Sequence, residues 1–291
     1  MIKLQIKFIH LFLFLISISC SEKINTQVNS NENIENVISK ISSLSKNQIL
    51  VCAHRAYHKF APENSLESIR QAINSEIDIV EVDVNTTKDG ILVLMHDNAI
   101  DRTTNGKGYI SDYNYSELKK FNLKIGDSVT THKIPTLSEV LSLAKDKIIL
   151  NLDIKRVDVA KLYAQLKANK MENQVFSFIW DKRKIDKILA IDSSYAVLPL
   201  VSSKEEMIYY SNKIKSKLQH FDEKSFNQEN LKWAKDNDIL VFMNILWKPD
   251  QDFVSNNTKM IDDIIALKPA IIQTDHPKKI VDYLKSKKLR N

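Results

Sequence analysis

The chain reads as an α/β protein folded into a (β/α)8 barrel, and three observations predict it. Apolar, β-branched runs alternate with stretches of helical spacing from Ile49 to the C-terminus. The runs number eight clear ones and a doubtful ninth, Leu218 to Phe221. Titratable residues stand where several of the runs end, and in a parallel barrel those ends form the rim that carries chemistry. At 291 residues and 43% hydrophobic composition the chain has the material for one large domain.

Residues 1–19 stand apart from the fold. Lys3 and Lys7 make a charged leader, Phe8 to Ile18 an apolar run of export-signal length, and Ser17-Ile18-Ser19 a small-residue cleavage pattern. Cys20 follows directly and resembles the lipid-modified cysteine of a bacterial lipoprotein, which implies a membrane anchor at the cell envelope. Ser17 departs from the aliphatic residue usual there, and ordinary cleavage to a soluble exported product is the alternative. Ser21 to Ile34 is polar and Asn-rich, a tether. Val37, Ile38, Ile41 and Leu44 regain apolar spacing and predict a short helix under the barrel. The tether and this leading helix make up residues 20–47, and residues 48–291 the barrel domain.

Ile49 to Ala53 and Ile77 to Val84 are strands. Asn64 to Ser75 between them places Leu66, Ile69, Ala72 and Ile73 at helical spacing, which completes a βαβ unit. Glu81 and Asp83 share one face of the second strand, because successive side chains alternate. Two carboxylates so placed repel unless a cation sits between them; hard divalent ions take such oxygens, and the alternative is that one acid pairs with an Arg or Lys of the barrel wall. Ile91 to Met95 is the third strand. Only Asn85 to Gly90 separates it from the second, too little for a crossover helix, and an extended return is the route by which His96 would reach the same rim.

A turn-rich insertion of about residues 98–133 follows this third strand, with a short helical pattern near Ser116 to Phe121. Inserted segments at a barrel's C-terminal rim commonly cover the substrate. Beyond it, Thr136 caps a helix to Ala144; Ile148 to Ile154 is a strand, Val157 to Lys167 a helix, Gln174 to Ile179 a strand and Asp181 to Ile191 a helix. Ala196 to Val201 is a strand and Lys204 to Lys213 a helix. Asn227 to Asn237 is helical, Ile239 to Ile245 and Ala270 to Thr274 are the last strands, and a helix around Ile280 to Lys287 ends the chain. Asp153 and Lys155 share a face, so one strand offers an acid and a cation.

The net charge of +6 is spread over many lysines without a basic block, which excludes a nucleic-acid footprint, and no protein partner is predicted. Cys52 sits inside the first strand as a small apolar residue, and no disulfide is implied.

HRAYHKFAPENS, EVD, TKDG, MHD and DRTTNGKG resemble the glycerophosphodiester phosphodiesterase family, and the likeness continues through IPTL, NLDIK, SF, Asn244 and QTDHP, over roughly residues 48 to 287. The resemblance implies a barrel of the phospholipase-C-like phosphodiesterase type. It also implies metal-dependent hydrolysis of a glycerophosphodiester to glycerol 3-phosphate and an alcohol. By position it makes His54 and His96 the acid/base pair, Glu81, Asp83 and Asp153 the ligands of one divalent cation, Ca²⁺ or Mg²⁺, and Arg55 and Lys155 the phosphate-binding cations. The alternatives are action on intact lysophospholipid or sphingolipid head groups, or a non-catalytic lipoprotein that binds a phosphorylated ligand.

Other residues take quieter roles. Glu63 is expected to orient Arg55 or the metal shell, and Asp97 to fix its loop or His96. Asp275 reads as structural at the barrel closure, His58 as a loop histidine, and Phe242 and Trp247 as core before walls of a glycerol site. Ala56 replaces the family's usual Gly after His-Arg, and Glu76-Ile77 a Gly-containing turn; neither is expected to touch a ligand. The Ala56 exchange costs roughly 1 kcal/mol if the backbone there is left-handed.

Overall fold

The computed structural model describes residues 36–290, so the signal, the Cys20 anchor and the tether Ser21 to Ile34 lie outside the described residues. In chain order come α1 (Val37–Ser45), β1 (Leu50–Ala53), α2 (Leu66–Asn74), β2 (Ile79–Thr86) and β3 (Leu92–Leu94). The insertion holds α3 (Tyr115–Leu118) and a hairpin of β4 (Lys124–Ile125) and β5 (Ser128–Val129). Then follow α4 (Leu137–Ala144), β6 (Ile149–Ile154), α5 (Val159–Asn169), β7 (Val175–Phe178), α6 (Lys182–Ile191), β8 (Val197–Leu198) and β9 (Leu200–Val201). Last are α7 (Lys204–Lys213), β10 (Leu218–Phe221), α8 (Gln228–Asp236), β11 (Leu240–Asn244), α9 (Lys248–Val254), α10 (Lys259–Ala266), β12 (Ile271–Thr274) and α11 (Pro277–Ser286).

The sheet runs β8-β7-β6-β2-β1-β12-β11-β10-β9, all parallel. β8 and β9 are one stave broken at Pro199, which has no N–H to give a ladder, so the ring closes through that residue. Counted this way the barrel has eight staves. The doubtful run Leu218 to Phe221 is a barrel stave between β9 and β11. One strand reading is corrected: the third predicted strand is not a stave, because β3 folds back antiparallel on the overhanging end of β2, with Val84 opposite Leu94. The insertion therefore lies between the second and third staves.

Alternation divides the core. Leu50, Cys52, Ile79, Ile149, Phe176, Leu218, Phe242 and Ile271 point inward and fill the barrel, and α1 adds Val37 and Ile41 to that cluster as a plug. Asn36 caps α1, its side chain accepting from the Ser39 N–H. Val80, Val82, Leu150, Leu152 and Val197 face outward against the helices. α2 and α4 start in capping boxes, Ser65 with Ser68 and Thr136 with Glu139. The insertion has its own small core of Val93, Met95, Ile100, Ile110, Leu118, Leu123 and Ile134. Together the described residues, 36–290, make one compact unit closed on these cores.

Two helices absent from the sequence reading, α9 and α10, occupy the long link between β11 and β12. Among the described residues no helix is long and apolar enough to cross a membrane.

Candidate active site

The inward alternation that fills the barrel with apolar residues turns polar at the C-terminal rim. Asp83 pairs in register with Asp153, one step above Glu81 and Asn151. Glu81 and Asp83 are buried, and the three acids present ligand oxygens all within 4.8 Å of one another. Burial and the neighbouring Asp83 and Asp153 push the Glu81 carboxyl well above the usual range. Burial raises Asp153 too, against the pull of Lys155.

Two cations reach this cluster, Lys155 and, at longer range, Arg55, whose Nε lies 3.8 Å from Asp83 Oδ2. Lys155 Nζ lies 2.6 Å from Asp153 and 3.0 Å from Asp83, and these acids hold it protonated against the cost of burial. Asp153 Oδ1 is buried without a hydrogen-bond partner. Three carboxylates, two of them buried, face Lys155 and an Arg55 that Glu63 shares, and with one oxygen unmatched they leave a deficit of positive charge that a hard divalent cation fits, so the residues present suit the implied ion.

The loop after β1 reaches over the same cluster. The Arg55 N–H donates to Glu81 Oε2 at 2.7 Å, and the Ala56 N–H to the Glu81 carbonyl at 2.9 Å. Asn64 closes a two-way bond with Asp83, its amide donating to Oδ2 at 2.8 Å and its Oδ1 accepting from the Asp83 N–H at 3.0 Å. Arg55, Ala56 and Asn64 all hold positive φ, at 51°, 65° and 55°. The expectation that Ala56 leaves the ligands untouched is thus corrected: its strained backbone clamps the Glu81 strand.

Each imidazole has a carboxylate behind it. His54 Nδ1 lies 2.8 Å from Asp275 Oδ1, and His96 Nδ1 lies 2.6 Å from Asp97 Oδ1. A carboxylate on Nδ1 keeps the proton there and leaves Nε2 as the exchanging nitrogen. Asp275, read as structural, is therefore corrected to the partner of His54, whereas Asp97 does fix His96. The extended return works as expected: the Met95 N–H donates to the Asp83 carbonyl, which brings His96 beside the acids.

Glu63 joins the loop to the insertion. It accepts from Arg55 at 3.0 Å and from both terminal nitrogens of Arg102 at 2.7 and 2.8 Å, while Arg102 Nε reaches Asp97 at 2.6 Å. Arg102 thereby holds Asp97 down at about 2, and against burial Arg102 and Arg55 keep Glu63 ionised. Arg55 keeps one buried nitrogen, Nε, without a hydrogen-bond partner. His58 donates from Nδ1 to the His54 and Ala56 carbonyls, which makes it a loop support.

Asp250, at the start of α9, was not singled out in the sequence. It is buried, accepting from the Thr274 hydroxyl at 2.6 Å and the Asp275 N–H at 2.8 Å, and so sets the turn that holds Asp275 against His54. Burial pushes its carboxyl up to about 6. The signal that could have found it is Pro249-Asp250 just beyond the end of a strand, a helix start at the rim. Phe242 is core as expected, but Trp247 is 74% exposed, which corrects its reading as core.

Fold and site define a class: parallel α/β barrels whose mouth gathers carboxylates for a divalent ion beside carboxylate-backed histidines and cations for an anion. The glycerophosphoryl diester phosphodiesterase family pattern matches residues 54–259. A glycerophosphodiester phosphodiesterase of Bacillus subtilis is 27% identical over 230 residues, 70% of this chain and 78% of that protein. One of Caldanaerobacter subterraneus is 43% identical over 109 residues, 36% of this chain and less than half, 45%, of that protein. Among solved structures, a glycerophosphoryl diester phosphodiesterase from Parabacteroides distasonis superposes with a TM-score of 0.78 at 25% identity, covering 87% of this chain and 92% of that one. The fold is also shared by an Oleispira antarctica phosphodiesterase solved with sn-glycerol-3-phosphate, at a TM-score of 0.64 and 23% identity over 82% of this chain and 97% of that one. The chain belongs to the glycerophosphoryl diester phosphodiesterase family.

Proposed function

We propose that this protein hydrolyses glycerophosphodiesters to glycerol 3-phosphate and an alcohol, with the acid cluster as the seat of one divalent cation, Ca²⁺ or Mg²⁺. The observation that carries the reading is the three-carboxylate cluster beside two histidines, each with a carboxylate on Nδ1. A binding protein for a phosphorylated ligand needs the cations but has no use for two groups poised to exchange protons.

Glu81, Asp83 and Asp153 would hold the ion, which when bound supplies charge neutralisation at the phosphoryl oxygens. Lys155 and Arg55 are the side chains that meet the anionic diester, and their fixed positive charge favours the more highly charged transition state. Glu63 keeps the Arg55 guanidinium in place from behind. One imidazole takes the proton of the attacking hydroxyl, of water or of the neighbouring glycerol group, as the P–O bond forms. The other gives a proton to the departing alkoxide, so the leaving group departs as a neutral alcohol. Water adds across one P–O bond in the net reaction. The Oleispira antarctica relative bound to sn-glycerol-3-phosphate supports this product.

The test is release of glycerol 3-phosphate from a panel of glycerophosphodiesters. Release by the wild type, reduced by more than a hundredfold in both His54→Ala and His96→Ala, is the expected result. Turnover unchanged in either variant removes that histidine from the mechanism.

Export follows from the leader, and with it a lipid on Cys20 that tethers the barrel to a membrane at the cell envelope. Mass spectrometry of the mature N-terminus distinguishes a diacylated Cys20 from an unmodified end.

A further inference from the structure

Phe60, Tyr109, Val129, Trp180 and Trp247 are the large apolar or aromatic side chains that stand more than half exposed among the described residues, at 66, 58, 53, 64 and 74%. Three of them lie on the catalytic side. Phe60 is in the loop after β1, Trp180 in the loop after β7 and Trp247 in the loop after β11, three staves whose C-terminal ends share one rim. Tyr109 and Val129 belong to the insertion, whose Arg102 is bonded to Glu63 and whose hairpin lines, with His58 and Pro62, an open cavity of about 440 Å³. The remaining exposed apolar side chains are no more than 44% exposed.

A water-soluble diester gives these residues nothing to do, because the groups that meet it are the acids, histidines and cations at the centre. A lysine also stands near each of these side chains, in contact, in sequence or across the hairpin. Lys59 adjoins Phe60, with Nζ 5.0 Å from the ring. Lys107 is two residues from Tyr109, Lys182 two from Trp180 with its Nζ over the Tyr209 ring at 5.3 Å, and Lys248 next to Trp247 with its Nζ 2.9 Å from Asp252. Lys124 is the cross-strand partner of Val129. Aromatic and aliphatic tips with lysines alongside are the composition of a surface that lies in a lipid interface, rings among the acyl carbons and ammonium groups at anionic head groups. Trp180 is braced edge-on against Phe178, with centroids 4.8 Å apart, and Trp247 holds φ 63° with its ring in solvent. Separate tips around a polar mouth suit a broad, yielding layer.

We infer that the rim is a docking surface for an anionic phospholipid layer, seated by Phe60, Trp180, Trp247 and the insertion hairpin so that the catalytic mouth faces the lipid. The meaning of that orientation rests on the phosphodiesterase reading of the mouth, but the binding does not.

The test uses residues 35–291, the unit closed on its own core, so that no anchor contributes. Trp180 and Trp247 are two of the chain's three tryptophans. Trp233→Phe leaves only the rim pair to report. Vesicles of phosphatidylglycerol and phosphatidylcholine shift this emission to the blue, brominated lipid quenches it, and the protein sediments with the vesicles. Phe60→Ala/Trp180→Ala loses at least tenfold in partitioning, while kcat/KM on a soluble diester stays within twofold. Phe60→Leu/Trp180→Phe restores partitioning and controls for folding. Absence of any shift or sedimentation, with soluble diester still hydrolysed, overturns the docking surface alone. Vesicle binding without hydrolysis of any diester overturns the catalytic reading alone. Self-association abolished by the same double alanine variant assigns the rim to a second copy and also overturns the inference.

Discussion

Ala56 and Glu76 stand where glycine is expected, and the structure gives them φ of 65° and 60°. The chain has four glycines in 291 residues, so left-handed positions fall to other side chains. Such a position costs a residue with a Cβ roughly 1 kcal/mol. Glu76→Gly is expected to raise stability by up to about 1 kcal/mol, read as a higher urea midpoint at unchanged slope; an unchanged or lower midpoint contradicts the strain. Ala56 differs because its strain is coupled to the Glu81 strand. Asp275 shows where motif reading runs out. Its neighbours in the chain announce a barrel closure, and only the parallel pairing of β12 with β1 places it behind His54. Asp275→Asn is expected to reduce kcat by about 10- to 100-fold, the usual cost of losing a partner that orients a functional imidazole. Equal activity would make the contact incidental.

The elements legible in the sequence are those with one unambiguous apolar period. Leu218 to Phe221 looked doubtful because two of its four residues are polar, yet each has a place: Gln219 turns outward to donate to the Met207 carbonyl and Ser211 Oγ, while His220 points into the barrel against Phe178 and Phe242. Leu92 to Leu94 looked like a stave because it is apolar, but beside β2 its Val93 packs into the insertion's own core while Leu92 and Leu94 join the helix-facing core. Apolar content reports burial, not membership of the ring. α9 was hidden by its polar, proline-containing start. α1 was legible from four apolar residues, and its value is measurable. Ile41 is fully buried in the barrel plug, so Ile41→Ala is expected to cost about 2–5 kcal/mol in urea unfolding while activity per folded molecule is kept. A loss below about 0.5 kcal/mol would mean that the helix only rests on the barrel.

Across the whole molecule one interior carries two demands, apolar filling below and charge at the mouth, and His220 lies where they meet. Burial holds its imidazole down to about 4, whereas an unfolded chain takes up that proton near 6.5. The unfolded state therefore binds more protons between those values, and the fold loses stability as pH drops through them, by at most about 3 kcal/mol. Comparing urea midpoints at pH 7 and 5 in wild type and His220→Gln checks this, the variant losing less on acidification. The acid cluster at the top of the same interior carries the central claim, and legibility there was greatest: two acids on one strand and a third on the adjacent stave were visible as motifs, though not that Lys155 and Arg55 both reach Asp83. The most direct measurement is glycerol 3-phosphate release from a soluble diester by EDTA-treated protein as Ca²⁺ or Mg²⁺ is returned. The account predicts no release without the ion, a saturable rise with it, and at least a tenfold shift to higher ion concentration in Asp83→Asn. Equal rates in EDTA and in saturating ion would contradict it.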